Sequence, residues 1–297
     1  MSDKNSVAVV GAGAVGGYFA SQAWVAGNSL NICERTAFDQ LVVESGGQTI
    51  EVDAPVYTDP ADVGVHDWVF VATKTHDTAA AAPWLASLCG PDTVILVIQN
   101  GVEHVERMTP FAGPASILPA IARYGGEAIA PGHIRHYTYG NLFVPDDPSG
   151  QRLVELFRGS NVEVTPTARF SAEAWGKLVT NVAANAIPAL TQQRFPVLRI
   201  PAVADLARGL MRECVAVAGA EGIVLSDSLP ASEVERMAGL PDHVGSSMLY
   251  DRLAGRTLEY DALNGAVVRG GERHGVPTPL NQAMVALLSA ISAAAGK

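Results

Sequence analysis

The feature that most constrains the fold is a glycine-rich turn close to the start of the chain. Gly11, Gly13 and Gly16 match the pattern GxGxxG. The turn follows the apolar segment Ser6–Gly11 and leads into Ala14–Ala26, which is rich in alanine and aromatic residues. A continuous apolar strand is typical of the middle of a parallel sheet. Strand, glycine turn and helix in this order predict the first unit of a doubly wound α/β sheet.

The same alternation continues through the first half of the chain. Apolar runs predict strands at Leu30–Cys33, Asp67–Ala72 and Thr93–Ile98, and the alanine-rich stretch Thr78–Cys89 predicts a helix. Such βαβ units form right-handed crossovers in a parallel sheet, here of Rossmann type. The segment Ile117–Val144 has β-type residues and glycine turns, so we expect it to add strands to the edge of that sheet.

The second half of the chain is different in pattern. From about Phe170 the periodicity is helical almost to the end, and Pro166 is expected to interrupt the last strand before it. We therefore predict a dinucleotide-type Rossmann domain over residues 1–167 and an all-helical domain over residues 168–297. A cleft between two such domains is a favoured place for a small-molecule site.

Composition excludes several classes of protein. The chain has 30 acidic and 20 basic residues, and its net charge of -10 disfavours nucleic-acid binding. Its three cysteines form no CxxC pair, which indicates neither a disulfide framework nor a zinc site. The apolar run Ala283–Ala295 is shorter than the roughly 20 residues that cross a bilayer. We expect a soluble cytoplasmic protein without membrane contact; apolar surface on the helical domain is compatible with a homodimer.

The glycine turn has the sequence context of a phosphate-binding loop. Gly11 permits the tight turn, Gly13 lets the backbone approach a pyrophosphate, and Gly16 allows the helix to pack closely on the strand. The free N–H groups at the start of the helix and its partial positive charge favour an anion. The predicted cofactor-binding residues here are Gly11, Ala12, Gly13, Ala14, Val15 and Gly16.

Two residues at the end of the second strand bear on the choice of dinucleotide. Glu34 lies where an acidic residue binds the ribose 2′-hydroxyl of NAD. Arg35 is equally suited to the 2′-phosphate of NADP, because a guanidinium binds phosphate strongly. The residues themselves leave NAD and NADP nearly balanced, and a solvated Glu–Arg pair without a ligand is the third interpretation.

A narrow polar stripe indicates the chemistry. Lys177, Asn181 and Asn185 lie at i, i+4 and i+8 of a predicted helix, surrounded by apolar or small residues. Burying a lysine without a partner is costly, so the stripe is expected to line a wetted or ligand-filled cleft. A buried lysine also has a lowered pKa, which suits a general acid near neutral pH. The alternative is a solvated stripe on a surface helix.

Other polar residues are weaker candidates. Asn100 ends one predicted strand and Lys74 follows another, and such strand ends point into the ligand crevice. Ser247 is suited to donate to a substrate carboxylate, and Glu259 to position Lys177. Each has a simpler interpretation as a turn, cap or surface residue. His133 and His136 form an HxxH pair but should point to opposite faces of a strand, so no metal site is predicted.

Taken together, the motifs resemble the ketopantoate reductase family over nearly the whole chain. The resemblance is carried by Gly11–Gly16, Arg35, Lys74, Gln99-Asn100-Gly101, Trp175-x-Lys177-x3-Asn181-x3-Asn185, Ser246-Ser247-Met248-x2-Asp251 and Arg256-x2-Glu259-x4-Asn264-Gly265. Members of that family reduce a 2-oxo acid with NADPH. The resemblance therefore implies a Rossmann domain, a helical domain and an NADPH-dependent oxidoreductase of pantothenate biosynthesis.

The resemblance also implies roles for individual residues. Lys177 would protonate the carbonyl oxygen, and Glu259 would orient Lys177, the substrate and the cofactor. Ser247 would hold the carboxylate. The other implied contacts are Asn181 and Asn185 to the distal hydroxyl, Asn100 and Lys74 to cofactor and substrate, and Arg35 to the 2′-phosphate. Arg35 thus favours NADP(H), while Glu34 keeps NAD(H) open.

The chain departs from the family pattern where the substrate pocket is expected. Phe195 and Val244 stand at or near positions where family members often have asparagine. Lys74 is followed by Thr75-His76-Asp77, where the family often has an aromatic residue and glutamine. We therefore expect a more apolar pocket, suited to 2-dehydropantoate or a bulkier oxo acid. The alternatives are a β-hydroxyacid dehydrogenase and a non-catalytic NADP-binding sensor.

Overall fold

A computed structural model describes residues 4–295, and the chain divides into two compact units. Within the described residues, the first unit consists of residues 4–100 together with His104–Phe170. The second consists of Gly101–Glu103 and residues 171–295. A short segment from the middle of the nucleotide-type unit therefore belongs to the helical unit.

The first unit is built on two sheets. Its strands are β1 Ser6–Val10, β2 Ser29–Cys33, β3 Leu41–Ser45, β4 Gln48–Val52, β5 Val56–Tyr57, β6 Trp68–Val71, β7 Val94–Val97, β8 Ser116–Pro119, β9 Ile121–Ala130, β10 His133–Pro145 and β11 Val164–Thr167. The main sheet is parallel throughout, in the order β5-β2-β1-β6-β7-β8. The second sheet has the order β11-β10-β3-β4, with β9 antiparallel to β10.

Helices complete both units. Those of the first unit are α1 Ala14–Val25, α2 Ala82–Leu88, α3 His104–Met108 and α4 Pro148–Leu156. The helical unit contains α5 Phe170–Ala184, α6 Ala186–Thr191, α7 Pro201–Ala220, α8 Leu229–Ala238, α9 Ser247–Leu253, α10 Ala266–His274 and α11 Pro279–Ala294. A π-helical turn, Asp261–Gly265, precedes α10. The predicted Rossmann-type sheet followed by an all-helical domain is confirmed. Across residues 4–295, no helix combines the length and apolarity needed to span a membrane.

Apolar residues on both faces hold the main sheet in place. On one face Phe70 of β6 packs in a cluster that includes Phe19 of α1. On the other face Val69 packs in a cluster with Leu85 of α2. All four side chains are buried, and each contributes about 1.5–3 kcal/mol to folding. The carboxyl ends of the central parallel strands thus meet at one fixed edge.

Three local expectations need correction. The segment Ile117–Val144 extends the main sheet only through β8; β9 and β10 build the second sheet, because β10 pairs with the distant strand β3. Pro166 does not interrupt the last strand but lies inside β11, an edge strand that tolerates its missing N–H. The predicted helix Thr78–Cys89 begins as a 3-10 turn, and Pro83 lies in the first turn of the shorter α2.

Candidate active site

The glycine turn is shaped by close backbone approaches. Gly11 has φ +92°, and a Cβ there would lie 2.9 Å from the amide nitrogen of Thr73. A Cβ on Gly16 would lie 2.0 Å from the carbonyl oxygen of Gly11. Both positions therefore require glycine, the first also because of its backbone conformation. The turn brings α1 directly onto the ends of β1 and β6.

Gly13 has the opposite environment. It is exposed, its φ is -67°, and a Cβ there would meet no protein atom within 4 Å. It directly precedes α1, whose first residues Ala14 and Val15 are half-buried. The open space beside Gly13 and the N–H groups at the start of α1 fit the pyrophosphate of a dinucleotide.

The Glu34 side chain turns toward this loop. Its carboxylate accepts a hydrogen bond from the N–H of Ala12, and its own N–H donates to the carbonyl oxygen of Tyr57 at 2.9 Å. Burial raises the pKa of Glu34, while the bond from Ala12 acts in the opposite direction. The Ala12 N–H thus binds a protein carboxyl group, and Glu34 helps to hold the loop.

Arg35 points elsewhere. Its side chain is 80% exposed, and its Nη2 lies 3.5 Å from Oδ2 of Asp77. Asp77 ends a 3-10 turn that starts directly after Lys74, and its N–H donates to the Lys74 carbonyl at 2.9 Å. The structure therefore brings Arg35 and the segment after Lys74 to the same edge of the sheet.

Gln99 is a structural link that the sequence reasoning did not assign. Its buried Nε2 donates to both oxygens of Thr73, each at 3.1 Å, and to Thr78 Oγ1 at 2.9 Å. It thereby ties the end of β7 to the segment that carries Lys74. The next residue, Asn100, is half-buried at the end of this strand.

Lys177 and Asn181 lie one helical turn apart on α5. Both are half-buried, whereas their neighbours Trp175, Leu178 and Val182 are buried in the core of the helical unit. The narrow polar stripe in an apolar helix is therefore present as the spacing predicts.

Asn185 lies just beyond α5 and joins two motif segments. It is 5% exposed, and its Oδ1 accepts hydrogen bonds from Ser247 Oγ and from the N–H of Met248, both at 3.3 Å. Ser247 itself is exposed, while Ser246 caps α9 by accepting from the Leu249 N–H. The structure thus places the end of the lysine helix against the start of α9.

Glu259 is buried at 6% exposure, two residues before the π-helical turn. Within that turn, Asn264 donates from Nδ2 to the Val182 carbonyl of α5 at 3.0 Å and to Asn281 Oδ1 at 2.9 Å. The turn that follows Glu259 is therefore fixed to the helix that carries Lys177. Single π turns of this kind occur frequently at functional sites.

A second anchor of the π turn is Arg269, which the sequence reasoning did not identify. Its guanidinium binds Glu103 through two hydrogen bonds of 3.0 and 2.6 Å. It also binds Asp261, at the side chain (2.7 Å) and at the carbonyl oxygen (3.0 Å). These carboxylates raise the pKa of Arg269. No local periodicity predicts the pair, because Glu103 and Arg269 are 166 residues apart.

The two histidines of the HxxH pair bind other protein groups. His133 contacts Glu44 Oε1 at 2.8 Å, and His136 contacts Ser45 Oγ and the Tyr139 carbonyl oxygen, each at 2.7 Å. In the described residues, no group of three histidine, cysteine or acidic side chains has the arrangement of a metal site.

The two apolar residues that we expect near the substrate pocket, Phe195 and Val244, lie side by side. The N–H of Phe195 donates to the Val244 carbonyl at 3.2 Å. Phe195 is buried in the core of the helical unit, and Val244 packs against the same core. They therefore form one apolar patch in the helical unit.

Comparison with known families gives matches to both parts of the chain. Residues 7–148 match the family model described as "Ketopantoate reductase PanE/ApbA", and residues 169–292 match its C-terminal counterpart. The chain belongs to the ketopantoate reductase family. It is thus an oxidoreductase acting on a CH–OH or C=O group, and the resemblance in the sequence is confirmed.

Ketopantoate reductases of known sequence and structure are similar over the full length. A 2-dehydropantoate 2-reductase of Caulobacter vibrioides is 40% identical, with 96% of this chain and 98% of the relative covered. A family structure from Ralstonia eutropha JMP134 has 31% identity and a TM-score of 0.90, covering 97% and 98% of the two chains. A dimeric ketopantoate reductase from Staphylococcus aureus has 26% identity and a TM-score of 0.88, covering 98% and 100%. Enzymes of this family use a nicotinamide cofactor.

Proposed function

We propose that the protein catalyses the NADPH-dependent reduction of 2-dehydropantoate, or of a related 2-oxo acid, to the 2-hydroxy acid. The observation that carries the proposal is the bond between Asn185 and Ser247, which joins two family motifs 62 residues apart. Half-buried Lys177 lies on the helix that ends directly before Asn185, and the similarity to 2-dehydropantoate 2-reductases covers 96% of the chain.

The first unit would hold the cofactor. Residues 11–16 provide open space beside Gly13 and the free N–H groups at the start of α1 for the pyrophosphate. Arg35 would bind the 2′-phosphate, and Lys74 and Asn100 would contribute at the neighbouring strand ends. When bound, NADPH supplies the hydride that reduces the carbonyl carbon.

The helical unit would provide the acid. The Lys177 ammonium donates a proton to the carbonyl oxygen, which becomes the new hydroxyl group. Its positive charge also stabilises the alkoxide that develops before the proton is transferred. Lys177 is then neutral and recovers a proton from solvent. In our proposal Glu259 orients this lysine, Ser247 binds the substrate carboxylate, and Asn181 and Asn185 align the distal hydroxyl.

The two alternative functions fit less well. A β-hydroxyacid dehydrogenase would share the lysine–asparagine helix face but would not explain the Ser247 and Glu259 segments. A non-catalytic sensor would not need both Lys177 as a general acid and Glu259 to position it. Because the Staphylococcus aureus relative is dimeric, we propose a homodimer, which sedimentation equilibrium tests.

Substitution of Lys177 tests the proposed chemistry. We expect Lys177→Ala to lower kcat for 2-dehydropantoate by about 100-fold or more, since general acids contribute about 10²–10⁴-fold. The NADPH dissociation constant should stay within about threefold, because the acid acts mainly in the transition state. Lys177→Arg is the matched variant: it keeps the positive charge but is a far weaker acid, and should remain slow. An equal loss of NADPH binding in both variants would contradict the assignment.

A further inference from the structure

The Arg35 guanidinium, assigned above to the 2′-phosphate, already has an anionic neighbour. Asp77 Oδ2 lies 3.5 Å from Arg35 Nη2, and His76 Nε2 lies 4.0 Å from the same carboxylate oxygen. The backbone bond from the Asp77 N–H to the Lys74 carbonyl fixes the turn that presents this carboxylate. The Arg35–Asp77 pair therefore belongs to the edge of the sheet at which the dinucleotide would bind.

The position of this carboxylate follows from the sheet. Strands β2, β1 and β6 are adjacent and parallel, so the segments that follow β2 and β6 emerge at the same edge. Arg35 follows β2, and Asp77 lies in the turn that follows β6. Hydrogen bonds from Gln99 to Thr73 and Thr78 stabilise this turn. Because these hydrogen bonds stabilise the turn, the fold itself holds Asp77 near Arg35.

A carboxylate at this distance acts against a phosphate in two ways. It forms an ion pair with the guanidinium at 3.5 Å and so competes with a phosphate for the same positive charge. It also repels a phosphate, which carries about two negative charges at neutral pH. A ribose with a free 2′-hydroxyl carries no such charge, so the same carboxylate does not repel it. The Glu34 carboxylate does not repel the phosphate in the same way, because it accepts a hydrogen bond from the Ala12 N–H.

We propose that Asp77 is a specificity-determining residue that weakens the preference of this site for 2′-phosphorylated dinucleotides and keeps NADH usable beside NADPH. The proposal rests on the dinucleotide role of Arg35 given above. It predicts a modest NADPH preference in the natural protein and a larger one when the Asp77 charge is removed.

Binding of two adenosine nucleotides tests this directly. Calorimetry with 2′,5′-ADP and 5′-AMP compares ligands that differ only in the 2′-phosphate and requires no oxo acid. Asp77→Asn keeps the shape of the side chain and should tighten 2′,5′-ADP binding about fivefold, as expected for one exposed charge contact. The affinity for 5′-AMP should not change, and this second ligand also reports whether the fold is intact.

Two further variants sharpen the test. Asp92→Asn removes an exposed charge next to the amino end of β7, at the opposite edge of the sheet, and should change neither affinity. Arg35→Ala should abolish the preference for 2′,5′-ADP and reduce the gain from Asp77→Asn in the double variant. An unchanged 2′,5′-ADP affinity in Asp77→Asn, or an equal change for both ligands, would overturn the proposal. Failure of 2-dehydropantoate reduction would instead contradict the proposed function and leave this binding test intact.

Discussion

At the scale of single residues, the side chains of the sequence neighbours Glu34 and Arg35 point in different directions. Their sequence positions fit a ribose hydroxyl and a 2′-phosphate equally well. In the structure Glu34 turns inward to the Ala12 N–H, and Arg35 turns outward to Asp77. Composition and spacing could not separate the two side chains, because their directions depend on the glycine loop and on a turn about 40 residues away along the chain.

The burial of Glu34 makes a prediction about stability. Its pKa is raised by burial, so the folded protein binds this proton more readily than the unfolded chain. The stabilising contribution is complete below the unfolded pKa of about 4.3 and is lost as pH rises through the folded pKa. Glu34→Gln removes this dependence. We therefore expect the melting temperature of Glu34→Gln, relative to the natural protein, to increase between pH 4 and pH 7.

Thermal unfolding at several pH values is the measurement for Glu34→Gln. Glu51→Gln, at an exposed position on β4, is the matched control and should follow the natural protein at every pH. If the natural protein and Glu34→Gln kept a constant difference in melting temperature from pH 4 to pH 7, the half-buried Glu34 carboxyl would not control this dependence.

The asparagine stripe shows the limit of spacing as a guide. The i, i+4 and i+8 pattern correctly predicts that Lys177 and Asn181 share a helix face. Asn185 lies beyond the end of that helix, where its side chain binds Ser247 and Met248. The partners of Asn185 depend on how α9 packs, and no local pattern carries that information.

At the scale of elements, local patterns predict what depends on local contacts. The glycine turn, the central strands and the start of the helical region follow from hydrophobic periodicity and turn residues. The second sheet does not, because β10 pairs with β3 from a distant part of the chain. The π turn is also invisible to a 3.6-residue period, since it inserts a wider turn between Glu259 and α10.

Two glycines of the same loop should respond differently to alanine. A Cβ on Gly16 would overlap the Gly11 carbonyl, so Gly16→Ala should lower the free energy of unfolding by roughly 1–3 kcal/mol. A Cβ on Gly13 would enter open space, so Gly13→Ala should change it by less than about 1 kcal/mol. That methyl group would occupy the space assigned to the pyrophosphate, and NADPH affinity should fall about tenfold or more.

Urea unfolding and NADPH fluorescence titration check both glycine variants. Each variant is the control for the other, because one tests packing and the other tests access of the cofactor to the backbone. Full NADPH affinity in a stable Gly13→Ala protein would mean that the cofactor does not approach the loop at this point.

At the scale of the whole molecule, the change of sequence pattern near residue 170 predicts the two-part architecture. The sequence pattern does not predict that Gly101–Glu103 belongs to the helical unit. This segment is held by the hydrogen bonds between Glu103 and Arg269. A charge pair between residues so far apart along the chain cannot be predicted from local hydrophobicity. Family membership, in contrast, was visible in the sequence because seven motifs keep their order and spacing over nearly the whole chain.

The apolar patch of Phe195 and Val244 bears on substrate choice. The sequence analysis expects both residues near the substrate pocket, and the two are joined through their backbones in the helical unit. We proposed above that the enzyme reduces 2-dehydropantoate or a related oxo acid. In our proposal these two side chains favour a less polar tail on the substrate, because neither phenylalanine nor valine offers a hydrogen bond to a distal hydroxyl.

The most direct test of the account is the oxidation of NADPH by the purified protein with 2-dehydropantoate, beside 2-oxo acids with larger apolar tails and with NADH in parallel. We predict turnover of 2-oxo acids with both cofactors and a higher kcat/KM with NADPH. Rapid turnover of 2-dehydropantoate itself would establish that substrate, whereas faster turnover of a bulkier oxo acid would assign the patch to substrate choice. Tight NADPH binding without reduction of any 2-oxo acid would contradict the proposed reaction.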